Sequence, residues 1–119
     1  MSPIVTGHVA RTELQPADYS AVTTAGDARA RMTKLSTAGA DGRLSTVGVF
    51  ACEPCTIVAE LKTDETIHVL EGEVRIALDD GSAVELGPGD VAVLPRGAVA
   101  TWTVKTPFRE LFFLSGVPA

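Results

Sequence analysis

Three glutamates stand beside apolar runs, where a carboxylate is expensive to place. Glu60 ends Thr56-Ile57-Val58-Ala59, Glu65 comes two residues before Ile67, and Glu110 precedes Leu111-Phe112-Phe113. Burial strips a carboxyl group of the water that stabilises its charge, and a second carboxylate nearby adds repulsion, so its proton is held more tightly. A glutamate tuned in this way becomes a general acid or base near neutral pH. Glu65 and Glu60 are therefore the candidate catalytic pair. Trp102, the only tryptophan, offers an indole face that can cover a flat or cationic ligand. With Lys62, Glu110 and Phe112 it makes the candidate substrate-binding set. The competing structural account is that Glu60 pairs with Lys62, and Glu110 with Arg109, as exposed ion pairs worth roughly 0–1 kcal/mol.

Other reactive residues point less clearly to chemistry. Cys52 and Cys55 form a C-x-x-C around Glu53-Pro54, a spacing shared by redox motifs and half zinc sites. No second C-x-x-C or paired histidine motif follows, so two buried thiols flanking a turn is the preferred reading. His68 stands three residues after Glu65, an odd separation that puts it on the opposite face of a strand. It is expected to pack or to sit at an interface, whereas His8 is read as a surface or interface residue. Arg96, in Pro95-Arg96-Gly97, is read as a solvated charge in a turn.

These side chains must be positioned by strands. Residues 64–97 alternate short apolar runs with turn residues, and Glu71-Gly72-Glu73, Asp79-Asp80-Gly81, Gly87-Pro88-Gly89-Asp90 and Pro95-Arg96-Gly97 punctuate them. Four or five strands of four to seven residues in that span predict an all-β sandwich or barrel. Residues 44–51 and 56–62, with β-branched Thr46, Val47, Val49, Thr56, Ile57 and Val58, predict a hairpin across the C-x-x-C turn. Residues 99–105 and 109–114 give two more strands. Residues 28–35 predict an edge strand, and residues 38–42 a connection. Residues 1–27 show no sustained period and are read as an N-terminal arm, with one short strand at residues 4–9.

The spacing around the turns resembles a known family. Glu65 followed by Gly72 is similar to the end of the first cupin motif, and Gly89, Pro95 and Gly97 resemble the start of the second. The chain is thus identified as a member of the cupin superfamily, the RmlC-like jelly roll or double-stranded β-helix. Cys52-Glu53-Pro54, Asp64-Glu65 and Thr101-Trp102 resemble the small single-domain branch that includes ureidoglycine aminohydrolase and the ethanolamine-utilisation cupin. The resemblance implies a barrel over residues 28–119, a pocket at its open end, and an arm that in many small cupins lies on a neighbouring subunit. It also implies histidine ligands at slots that here hold Val58 and Glu60 on one spacing or Ala59 and Leu61 on the other, with Ala100 in the second motif. All three histidines are missing, which argues against transition-metal oxygen chemistry, because such ions favour imidazole. The branch often carries Lys and Tyr where this chain has Glu110 and Phe112, so activity does not transfer through those positions.

Composition narrows the remaining choices. A chain of 119 residues makes one domain. Its 45% hydrophobic content and mean hydropathy of +0.22 suggest extra burial, most simply in a homodimer. A net charge of −5 with only 10 dispersed basic residues disfavours nucleic acid and anionic membranes as partners. Without an apolar run long enough to span a bilayer, or a signal-peptide pattern, the expected location is the cytoplasm. The expected function is a metal-independent cupin that acts on or binds a small polar metabolite, nitrogen-containing by analogy with the branch, with no cofactor. One alternative is a non-catalytic ligand-binding or interaction module. Another is an enzyme in which Glu60 and Glu65, with a further oxygen donor, hold a divalent metal.

Overall fold

Every regular element is extended. A computed structural model describes residues 4–40 and 43–118, and its elements are β1 (Gln15–Pro16), β2 (Thr23–Gly26), β3 (Arg31–Ala40), β4 (Arg43–Cys52), β5 (Cys55–Glu60), β6 (Asp64–Glu71), β7 (Val74–Leu78), β8 (Ala83–Leu86), β9 (Val91–Leu94), β10 (Val99–Val104) and β11 (Phe108–Pro118). They form two antiparallel sheets, one of six strands in the order β1-β3-β4-β11-β6-β9 and one of five in the order β2-β5-β10-β7-β8. The chain repeatedly crosses from one sheet to the other, which is jelly-roll topology. Among the described residues no helix is long and apolar enough to cross a membrane.

The crossings sit where the turn residues predict them, but they differ in kind. Asp79-Asp80-Gly81 closes a true hairpin between β7 and β8, with Gly81 at φ 93°. Glu71-Gly72-Glu73 instead carries the chain from the six-stranded sheet to the five-stranded one. Gly72 is at φ 86°, and a Cβ there would overlap the Pro107 carbonyl oxygen, so only glycine fits. The C-x-x-C turn is also a crossing. β4 and β5 belong to different sheets and do not pair, contrary to the expected hairpin. Both flanking apolar strands look alike in sequence because alternation reports the buried face and not the neighbour.

Alternation places the core between the sheets. Ile67 and Val69 on β6, Val74 and Ile76 on β7, and Ala100 on β10 are at most 1% exposed. Phe50 and Cys52 of β4 and Phe108 and Phe112 of β11 complete the packing. The last strand runs past residue 114 to Pro118, with an irregularity between Ser115 and Val117.

Residues 4–27 are stitched to the barrel of their own chain. β1 pairs with β3, and β2 pairs with β5. The strand expected at residues 4–9 does not form; those residues lack regular structure and meet the outer face of the six-stranded sheet. Gly7 lies against Leu35, and Arg109 Nε donates to the Val9 carbonyl at 2.6 Å. The expected connection at residues 38–42 is shorter than predicted: residues 38–40 finish β3, while Asp41 and Gly42 lie outside the described residues.

Candidate functional site

Strand phase decides which candidate residues can meet. Along β5 the buried positions are Cys55 and Ile57, followed by half-buried Ala59, so the odd-numbered side chains face inward. Glu60 then falls on the solvent side, 55% exposed, and accepts from Lys62 Nζ at 3.1 Å. Across the ladder Ala59 pairs with Ala100 and Ile57 with Trp102, so alanine faces alanine where the cupin motif carries imidazoles. Of the two spacings left open by the sequence, the one that puts Ala59 and Leu61 inward is realised. On β6 the inward residues are Glu65, Ile67 and Val69, and His68 points the other way, as odd separation predicts.

These strands enclose a cavity of about 300 Å³. Its apolar wall is made by Phe50, Ile57, Trp102, Val104 and Leu114, with Ala59 and Leu61 beside them. Polar groups reach it from three places: Glu65 and Thr63 near the start of β6, the Glu60–Lys62 pair, and Tyr19 from the loop before β2. The volume is at the lower end of the range for small-molecule sites, and the mostly hydrocarbon lining with few polar groups is typical of them. A larger, shallower hollow of about 540 Å³ lies among residues 16–31, and Tyr19 stands between it and the barrel cavity, lining both.

Glu65 is the half-buried carboxyl that lines the cavity from the inward face of β6. Loss of water pushes its pKa from the usual carboxylate range up to about 7. Glu110 lies deeper, 4% exposed, opposite Phe50 on β4 and Val69 on β6. Its Oε2 has no hydrogen-bond partner, and burial first, then the charge of Glu65, raises its pKa well above the ordinary range. It lies behind the wall and does not line the cavity. Phe112, likewise buried and outside the lining, fills the space above Gly48, where a Cβ would come within 2.5 Å of its ring. The structure thus brings Glu65 and Trp102 together, sets Glu60 and Lys62 in the lining as an exposed pair, and places Glu110 and Phe112 in the packing behind.

Cys52 and Cys55 are both buried, unoxidised and hydrogen-bonded to each other. Burial, followed by the charge on Cys55, pushes the Cys52 thiol far above its usual range, so it is a poor nucleophile. No group of three or more His, Cys, Asp or Glu suited to a metal ion occurs among the described residues. The inward Ala59, Leu61 and Ala100 supply only hydrocarbon, so the histidine-bound metal of the cupin pattern does not fit these residues.

Tyr19 was not distinguished by its sequence context. It lies in an aperiodic stretch, and the only local signal is the Asp18-x-Ser20 turn, in which Asp18 Oδ1 accepts from the Ser20 amide at 2.9 Å. Its ring packs on Phe50 at 5.1 Å between centroids, tilted by 48°. Burial, then the charges of Glu65, Glu110 and Cys52, raise the pKa of its phenol.

Two sheets folded over a single apolar interior, with a pocket walled by both, define a cupin barrel. The family model for the EutQ-like cupin domain matches residues 39–112, and the chain belongs to that family. Among solved structures it is similar to a putative ethanolamine utilization protein Q from Salmonella typhimurium LT2, with 26% identity, a TM-score of 0.64, and 74% of this chain and 70% of that one covered. It is also similar to a DUF861 family protein from Thermotoga maritima, with 29% identity, a TM-score of 0.53, and 56% and 75% covered. A protein of unknown function from Pseudomonas syringae pv. tomato shares the fold at 21% identity and a TM-score of 0.76, over 87% of this chain and 45% of that one. A comparison with curated proteins found no match.

Proposed function

We propose that the barrel cavity takes a small polar metabolite and that Glu65 moves a proton to or from it, without a metal. The observation that carries this reading is a half-buried carboxyl, its pKa raised by desolvation to about 7, on the wall of a cavity shared with Trp102. A proton-transfer group works best with a pKa near the operating pH, and Glu65 meets that condition through desolvation alone. Glu60 is exposed and paired with Lys62. Its role in this reading is to close the cavity mouth with Lys62. The metabolite is nitrogen-containing by analogy with the ethanolamine utilization relative.

The second reading is a binder without turnover, favoured by the mostly apolar lining, in which Glu60 and Lys62 are already paired with each other. A panel of small amines, amides and ureas incubated with wild type and Glu65→Gln separates the two. Product seen by proton NMR with wild type and not with the variant supports proton transfer. Quenching of Trp102 fluorescence with no product from any compound supports binding alone.

The protein is further proposed to work as a homodimer in the cytoplasm. Reduced, buried Cys52 and Cys55 suit a reducing compartment. Self-association is supported by the outer face of the six-stranded sheet, where Val91, Val93 and Phe113 are 60%, 70% and 47% exposed.

A further inference from the structure

We infer that Tyr19 is a ligand-orienting residue of the cavity: its phenol supplies the hydrogen-bond donor that complements the Glu65 acceptor. The site then selects a neutral ligand that offers an acceptor oxygen beside an N–H group, as a primary amide does. This inference rests on the reading of Glu65 given above.

The phenol is held in place by the backbone beneath it. The Tyr19 carbonyl accepts from the Val22 amide at 3.1 Å, the Thr23 amide at 3.0 Å and Thr23 Oγ1 at 2.7 Å. The loop is then fixed to the barrel, because the Val58 amide donates to the Val22 carbonyl at 2.9 Å and β2 pairs with β5 from Thr23 to Gly26. The ring contact with Phe50 fixes the remaining freedom. Among the described residues the hydrogen bonds of Tyr19 engage its backbone carbonyl, which leaves the hydroxyl available. A group so anchored loses little entropy when it binds, and this favours affinity.

The charges around the phenol define what it can recognise. Burial first, and then the charge of Glu65, oppose its ionisation, so it remains a neutral O–H donor. Lys62, the cation in the cavity lining, is engaged by Glu60. A carboxylate ligand would meet Glu65 without a free counter-charge, whereas an ammonium ligand would satisfy Glu65 and leave the phenol O–H without an acceptor. An amide satisfies both groups, and unmade buried hydrogen bonds are what make polar sites selective.

The test uses the full chain at pH 8, where Glu65 is ionised, with benzamide, benzylamine and benzoate as probes and Trp102 fluorescence as readout. Benzamide is expected to bind wild type and to lose about fivefold to tenfold in affinity in Tyr19→Phe, the effect of one neutral hydrogen bond. Benzylamine should change by less than about twofold on the same scale, and benzoate should not bind. Tyr19→Phe keeps the ring on Phe50, so an unchanged melting temperature shows that the wall is intact. The inference is overturned if benzamide fails to bind wild type, if Tyr19→Phe leaves its affinity unchanged, or if amide and amine weaken equally. The Glu65 reading fails separately, if carboxylate NMR places the Glu65 midpoint in the ordinary range. A silent Tyr19→Phe with that midpoint near 7 removes only the role of the phenol.

Discussion

Glu65 is costly to the fold in its ionised form, and the sign of that cost is measurable. Its folded pKa, about 7, lies above its unfolded value, so the folded state binds the proton more tightly than the unfolded chain does. The stabilisation this provides is complete below the unfolded pKa and is lost as pH rises to about 7. Glu65→Gln does not titrate, so it should match wild type near pH 4.5 and exceed it by roughly 2–3 kcal/mol at pH 8, checked by urea unfolding at both values. A variant no more stable than wild type at pH 8 would show that Glu65 is not desolvated. Glu110 has the same sign, since burial first and then the charge of Glu65 favour its protonated form, of which the amide is nearly an isostere. Glu110→Gln should change stability by less than about 1 kcal/mol, while Glu110→Lys, which buries an unpaired charge, should cost more than about 3 kcal/mol or prevent folding. A soluble, stable Glu110→Lys would contradict the burial of that side chain. At this scale Glu65 and Trp102 were legible because strand alternation reports the inward face. Glu60 was ambiguous because the motif allows two spacings, and only the Ala59–Ala100 register resolves them. Tyr19 left no periodic signal, since a loop residue reaches the cavity by tertiary placement alone.

Turns set the element scale, and not all glycines with positive φ carry the same burden. Gly81 at φ 93° has no atom within 4 Å of where a Cβ would stand, so Gly81→Ala meets only the left-handed backbone penalty of about 1–2 kcal/mol. Gly72 carries that penalty and also abuts the Pro107 carbonyl, which belongs to the turn before β11. Gly72→Ala should therefore cost at least about 3 kcal/mol, adding the displacement of a second turn to the backbone strain. Thermal unfolding of the two variants checks the ordering, and equal losses would show that the β6–β7 crossing can shift away from Pro107. The positions of these turns were readable because glycine, proline and aspartate have local conformational reasons to be there. Sheet membership was not. Asp79-Asp80-Gly81 makes a hairpin, whereas Glu53-Pro54 passes β4 and β5 to opposite sheets, and nothing in the four residues of Cys52 to Cys55 distinguishes the two outcomes. The choice depends on which distant strand fills the ladder, here β11 for β4 and β10 for β5.

At the scale of the whole molecule, the outer face of the six-stranded sheet is divided between covered and bare halves. Register aligns Val93, Thr66, Phe113 and Val47 in one row and Val91, His68, Leu111 and Val49 in the next, with no Asp, Glu, Lys or Arg in either. The segment before β1 covers the half over β3 and β4, where Val49 is fully buried, while Val91 and Val93 on the edge strand β9 stand open. A chain with net charge −5 repels its own copies unless they meet through a surface free of charge, and these rows provide one that a two-fold axis can repeat. An exposed apolar edge strand is otherwise an aggregation hazard, which is the ground for the proposal that a second copy of the same edge and face covers it. Wild type should therefore sediment as a dimer, and Val93→Glu combined with Phe113→Lys should sediment as a soluble monomer with its intramolecular core unchanged. A monomeric wild type would refute self-association, and a double variant that stays dimeric would move the interface elsewhere. The composition signalled this surface only as an excess of apolar residues. Its location required the register, because Val91 and Val93 have the same residue types and spacing as buried strand positions and differ only in the face they present.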